Sequence, residues 1–300
     1  MLLKRDAQSL CKVPGVGMRR GLASAVTSNL KEIQDEFTRQ SQGFEADWLN
    51  RSKQSTHEVM SWVLDSIEND GGAIDPTTKA LDVACGTGIF ARALLPHCAE
   101  VTGLDATEAM LDRARTATQD QEGADRITFL TGDAGKMPFD SDSFDLVVSR
   151  LAIHHFPNPE EQVREIARVV RPGGRVVIVD ITSPQNAEVA ARLDELETLR
   201  DPTHTHTLSI PTLANLLSSH GLALVNDNLE NIPQLDIEMA LEGWMESTKT
   251  GEADRATIRT AINAELTGDG PATGMFPKAV DGEIVFVHKY AVMEAVKPAN

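Results

Sequence analysis

Residues 80–88 read Ala80-Leu81-Asp82-Val83-Ala84-Cys85-Gly86-Thr87-Gly88, and this stretch decides the fold. A short apolar run breaks into Gly86-Thr87-Gly88, and Ile89, Phe90, Ala93 and Leu94 then recur at helical spacing. A strand, a glycine turn and a helix in that order aim free backbone N–H groups at a ligand.

Strand-like runs at 80–84, 100–104, 127–131, 144–149 and 175–179 alternate with helical stretches at 89–95, 107–118 and 159–171. That alternation predicts an α/β fold with a doubly wound, parallel sheet. Arg171-Pro172-Gly173-Gly174 predicts a helix stop and a turn into the fifth strand. Beyond it the pattern predicts helices at 186–199 and after Ser209, a strand at 222–225, two helices across 234–266 and a last strand from Glu283 to Val292. Upstream, apolar spots at Ile33, Phe37, Phe44 and Trp48 predict a helical lid over 31–78, leaving 79–295 as the main domain with a helical insertion at about 234–266.

The whole chain carries a net charge of −17 over 300 residues, which disfavours nucleic acid and anionic lipid as partners. Residues 1–30 run the other way, with a net charge of +4. Their composition fits a basic tail or a transit peptide, so the expected location is cytoplasmic or the mitochondrial matrix. Cys11, Cys85 and Cys98 have no paired spacing, so no metal site or disulfide framework is expected. Nor does any run of about eighteen apolar residues predict a transmembrane helix.

The glycine turn alone fits two ligands. Gly86-x-Gly88-x-x-Ala91 matches the dinucleotide fingerprint, and Asp105, seventeen residues after Gly88, stands where an acid accepts ribose hydroxyls. The third strand decides between them. It ends in Gly132-Asp133-Ala134, a second acid at the adjacent sheet edge, and Asp82 places a third inside the first strand. Three carboxylates suit an adenosine that carries a positive sulfur better than they suit a pyrophosphate.

LDVACGTG, VTGLDAT, FLTGDAGKMPF, FDLVVSRLAIHHF and RPGGRVVIVD, in that order, resemble the motifs of class I S-adenosylmethionine-dependent methyltransferases. Within them the chain is most similar to the small-molecule group around the ubiquinone and menaquinone C-methyltransferases, also described as methyltransferase type 11. The resemblance implies a seven-stranded, mostly parallel Rossmann-like sheet and S-adenosylmethionine as cofactor. It implies that Ala84, Gly86, Thr87 and Gly88 line the methionine part, that Asp105 holds the ribose with Ala106 and Met110 beside the adenine, and that Asp133 and Ala134 meet the adenine edge. Arg150 is placed at the mouth of the site. Ala84 stands where relatives often have the first glycine, and Phe44 where they often have tyrosine.

Methyl transfer to oxygen or carbon requires a proton to leave, and neutral histidine suits that near neutral pH. His154 and His155 follow the fourth strand, and His204 lies in a polar loop able to roof a substrate. These are the catalytic candidates. The expected activity is methylation of a small molecule at carbon or oxygen. The alternatives are a non-methylating cyclase that uses the bound cation, or a mitochondrial assembly or scaffold protein. Nothing in the residues fixes the oligomeric state.

Overall fold

In a computed structural model, the protein is described at residues 22–41, 60, 61, 64 and 74–299. The chain runs α1 (Leu22–Ser41), β1 (Lys79–Val83), α2 (Ile89–Leu94), β2 (Glu100–Asp105), α3 (Glu108–Thr118), β3 (Ile127–Thr131), β4 (Phe144–Arg150), α4 (Pro159–Val169) and β5 (Val170–Ile181). It continues through α5 (Ala187–Arg200), α6 (Ile210–Ser219), β6 (Ala223–Leu224), β7 (Gln234–Ala240), α7 (Leu241–Ser247), α8 (Glu252–Thr267), β8 (Lys278–Val280) and β9 (Glu283–Val296).

The sheet order is β3-β2-β1-β4-β5-β9-β6, with β7 and β8 also paired to β9. The first five strands are parallel and β9 runs antiparallel to β5. Successive strand residues face opposite sides, and both sides are buried, as a parallel sheet flanked by helices requires. Leu81, Val83, Val147 and Ile178 pack on α4 and α6 through Val163, Ile166 and Leu217. Ala80, Val101, Val148 and Val177 pack the other way, against Phe90 and Leu94 of α2 and Leu111 of α3. A third core joins α5, α7 and α8 through Leu193, Leu196, Trp244, Ile258 and Ile262.

The α/β, mostly parallel architecture is as expected, with three corrections. The described sheet has nine strands, not seven. Residues 234–240 are a strand rather than the start of a helix, paired with β9 over seven register positions. The reason is legible in Leu235, Ile237 and Met239 alternating with Gln234, Asp236 and Glu238, a period of two that a longer helical window hides. Third, Pro172-Gly173-Gly174 lies inside β5, where the β4–β5 register shifts, so it is an irregularity within the strand and not a turn before it.

Helix α1 begins at Leu22, nine residues ahead of the lid boundary at residue 31. Phe44, Trp48 and most of the segment between α1 and β1 lie outside the described residues, as do residues 1–21. Among the described residues, no helix is long and apolar enough to cross a membrane.

The turn after β1 explains its own glycines. Gly88 has φ of 71°, and a Cβ there would meet the Phe129 ring at 2.8 Å. Ala84 also takes a left-handed conformation, φ 57°, which costs an L-residue about 1–2 kcal/mol. Two opposite outcomes follow for thermal denaturation. Ala84→Gly leaves the melting temperature unchanged or raised, because it relieves that strain. Gly88→Ala lowers stability by about 1–3 kcal/mol, the usual cost of overpacking.

Candidate functional site

In the strand order 3-2-1-4-5 the connections diverge between β1 and β4, which opens a crevice at the carboxyl ends of the strands. The glycine turn after β1 forms one wall of it. The segment from Arg150 to Phe156, after β4, forms the other. Between them lies a cavity of about 270 Å³.

One end of the cavity is acidic. Asp105, at the end of β2, accepts the Gly86 N–H with Oδ2 at 2.8 Å and the Thr107 N–H with Oδ1 at 2.8 Å. That carboxylate therefore fixes the shape of the glycine turn. Burial pushes its pKa up, and the two backbone N–H groups oppose the rise. Asp133, after β3, accepts the Gly135 N–H at 2.7 Å, so its loop folds back over its own carboxylate. Asp82 is 1% exposed, and its Oδ2 has no hydrogen-bond partner among the described residues. Burial drives it up to about 7, against the Ala91 N–H and the Arg150 guanidinium.

The opposite end carries histidines. Ile153–His155 is a single turn of 3₁₀ helix whose shape is set by Asp180, near the end of β5. Asp180 Oδ2 accepts the N–H of Ala152 at 3.2 Å and of Ile153 at 2.6 Å. Its Oδ1 accepts the Ile181 N–H at 2.7 Å and His154 Nδ1–H at 2.5 Å. Burial opposes charge on both partners, yet their attraction outweighs it: the His154 pKa lies above its ordinary value and that of Asp180 below. His155 turns its Nδ1 to the Thr203 hydroxyl at 3.0 Å, and burial together with neighbouring His154 holds it down to about 3.

Of the residues singled out in the sequence, the cavity brings together Ala84, Gly86, Thr87, Asp105, Ala106, Met110, Asp133, Ala134, Arg150, His154 and His155. Two are not on its wall. Gly88 sits behind the turn against Phe129. His204 is a correction to the expected roof: its side chain is fully buried and its Nε2 bonds Asp194 Oδ1 at 2.9 Å. The loop works from behind instead. The Thr205 N–H and hydroxyl both bond the His154 carbonyl at 2.8 Å, clamping the histidine turn.

Residues the sequence reading did not assign complete the cavity. Asp180 was visible as an acid in an otherwise apolar strand, the same signal that marked Asp82. Arg200, Trp244, His288 and Tyr290 carried no local signal. Arg200 lies over the Trp244 ring at 5.0 Å, and the Tyr290 phenol is held up to about 12 by burial. Helix α1 spans both ends: Gln34 Nε2 donates to the Ala106 carbonyl at 2.9 Å, Phe37 meets His155 edge-on at 5.0 Å, and Gln40 Nε2 donates to Asp201 Oδ2 at 3.0 Å.

A family model described as a methyltransferase domain matches residues 81–178. The uncharacterized methyltransferase YcgJ of Bacillus subtilis is 31% identical over 185 residues, covering 62% of this chain and 71% of that protein. Its crystal structure superposes with a TM-score of 0.71 at 25% identity, covering 81% of this chain and all of that one. A demethylmenaquinone methyltransferase of Clavibacter sepedonicus is 29% identical over 196 residues, 65% of this chain and 74% of its own length. The [4+2]-cyclase SpnF shares the fold, with a TM-score of 0.57 at 18% identity over 85% of each chain.

The ionisation of Asp82 has a measurable signature in the ligand-free protein. Its folded pKa of about 7 lies above the ordinary carboxyl value, so its contribution to stability is complete at acid pH and is lost as pH rises from about 4 through 7. Asp82→Asn removes that slope. In urea denaturation, the wild type loses stability relative to the variant between those pH values and runs parallel to it above them.

Proposed function

Since the chain belongs to the S-adenosylmethionine-dependent methyltransferases, we propose that it methylates a small molecule at oxygen or carbon in this cavity, with His154 as general base. The observation that carries this reading is one continuous cavity with an acidic, glycine-turned end and an Asp180–His154 pair at the other.

The residues at the acidic end fit the cofactor. Asp82 is a buried carboxylate whose Oδ2 has no hydrogen-bond partner among the described residues, which calls for a cationic group. A Cβ at Gly86, φ 54°, would point into open space, so the turn leaves room for a ligand to approach the backbone. Asp105 would accept the ribose hydroxyls, Asp133 and Ala134 would meet the adenine, and Ala106 and Met110 would border it. Asp82, Ala84, Gly86 and Thr87 would hold the methionine part, Asp82 through its charge. Bound there, S-adenosylmethionine supplies an electrophilic methyl group on a positive sulfur.

This chain's own work is positioning and one proton. Confining acceptor and methyl donor in register supplies most of the rate, roughly 7–11 kcal/mol in favourable cases. His154 takes the acceptor proton at Nε2, since its Nδ1–H is committed to Asp180. The Asp180 carboxylate stabilises the imidazolium that forms. Ile33 and Phe37 of α1 and Trp244 of α7 supply apolar wall to the cavity. A carbon or oxygen acid on an apolar ring suits the walls, as does the name of the demethylmenaquinone relative.

The direct experiment is S-adenosylhomocysteine release against a panel of quinols, phenols and polyketides, with product mass recorded. A product heavier by one CH₂ supports the reading; conversion at unchanged mass assigns a cyclase instead. Asp105→Ala weakens S-adenosylmethionine binding about tenfold or more by calorimetry, the effect of one charge-assisted contact. His154→Ala lowers kcat by about 10²–10⁴, the range for a general base. The pH profile of kcat/KM for the cofactor reports the free enzyme. It rises with pH, because only neutral His154 accepts a proton, and its midpoint lies above the ordinary histidine value. Asp180→Asn moves that midpoint down and lowers the rate.

A further inference from the structure

The two adjacent histidines differ in what they can do with a proton, and hydrogen bonding fixes the difference. Thr203 has a single hydroxyl proton, and it is donated to Asp201 Oδ1 at 2.7 Å. Toward His155 the same oxygen can only accept, so His155 carries its proton on Nδ1 at 3.0 Å and presents a bare Nε2. Asp201 is in turn secured by the Thr203 N–H at 2.9 Å and by Gln40 of α1 at 3.0 Å, so this tautomer is locked from two sides. His154 is locked the same way, with Nδ1–H on Asp180 and Nε2 on the opposite edge of its ring. Both rings line the cavity, and their centroids are 4.2 Å apart.

Each ring thus keeps its Nδ1–H on a fixed acceptor and leaves an Nε2 lone pair on its far edge, two lone pairs on adjoining rings of one cavity. One belongs to a base able to hold a proton. The other belongs to an imidazole whose pKa is pushed down by burial and by neighbouring His154, which favours its neutral form. A permanent acceptor in a largely buried place is costly to leave unmatched. Phe37 packs edge-on against the His155 ring, and Ile33, Met239 and Trp244 also line the cavity, which suits a flat apolar body.

We infer that the acceptor is a vicinal dihydroxy compound, an aromatic 1,2-diol, whose one hydroxyl is methylated at His154 while the other is held intact by His155 Nε2. This rests on the methyltransferase reading of the same cavity. In the step, the O–H bond of the first hydroxyl breaks and its proton goes to His154 Nε2. The oxygen's electron pair bonds the methyl carbon, and the carbon–sulfur bond breaks with its pair left on sulfur. The products are a monomethyl ether, S-adenosylhomocysteine and an imidazolium paired to Asp180, so charge and atoms balance. An amine nucleophile has its lone pair already and needs no buried Asp–His base, which is why the methylated group is assigned as a hydroxyl.

Calorimetry on the protein saturated with S-adenosylhomocysteine tests this, using naphthalene-2,3-diol, 2-naphthol and 2-aminonaphthalene as probes. The diol is expected to bind about tenfold or more tightly than either single-donor probe, the discrimination one matched hydrogen bond supports. His155→Phe is expected to bring diol and naphthol within about twofold of each other while S-adenosylhomocysteine affinity is unchanged. Thr203→Val, which frees the tautomer without touching the ligand, reduces the preference in the same direction and serves if the phenylalanine variant does not fold. Equal binding of diol and naphthol by the wild type overturns the inference. So does amine binding as tight as the diol's, a preference that survives both variants, or no binding of the diol by the S-adenosylhomocysteine complex. Those failures leave the methyltransferase reading standing; a folded chain that does not bind S-adenosylhomocysteine overturns both.

Discussion

A single buried carboxylate organises the acceptor side of this molecule. Asp180 is 4% exposed, in a place where an unpaired charge is unfavourable by several kcal/mol. Three backbone N–H groups and one imidazole N–H satisfy it. In satisfying it they dictate the chain path after β4. Leu151, at the entry to that path, takes φ of 53°, a conformation a branched side chain resists. The surrounding bonds hold it there. The histidine turn is thus a consequence of charge solvation as much as of local sequence.

Asp105 does on the cofactor side what Asp180 does on the other. Each is an acid at or near the carboxyl end of a parallel strand, and each bonds backbone N–H groups of a neighbouring connection. The sheet supplies the rigid spacing, since β2 and β5 stand on either side of the β1–β4 pair. Helix α1 then ties the two halves together, with Gln34 on the Ala106 carbonyl and Arg39 on the Thr248 carbonyl at 2.8 Å.

Much of this was legible in the sequence, and what was not has physical reasons. The glycine turn and the acids at 82, 105 and 133 are local: the strand that ends there places them, and strand ends show in hydrophobic patterning. Asp180 carried the same signal as Asp82, an acid within an apolar run, without a role attached to it. Trp244, His288 and Tyr290 come from the far end of the chain and meet the site only through β9 and α7, so no spacing could announce them. His204 shows the opposite error. A polar loop rich in histidine reads as a roof over a substrate, whereas Asp194 and the histidine turn hold it behind the site. Ala84 stands where relatives often have glycine, and it adopts the glycine conformation all the same.

Tyr290 is the only tyrosine in the chain, and it lies on the cavity wall. Tyrosine bands in the near ultraviolet or in Raman spectra therefore arise from one ring at the place where chemistry would occur. The molecule carries its own optical label there, with no engineering needed and no other phenol to dilute the signal.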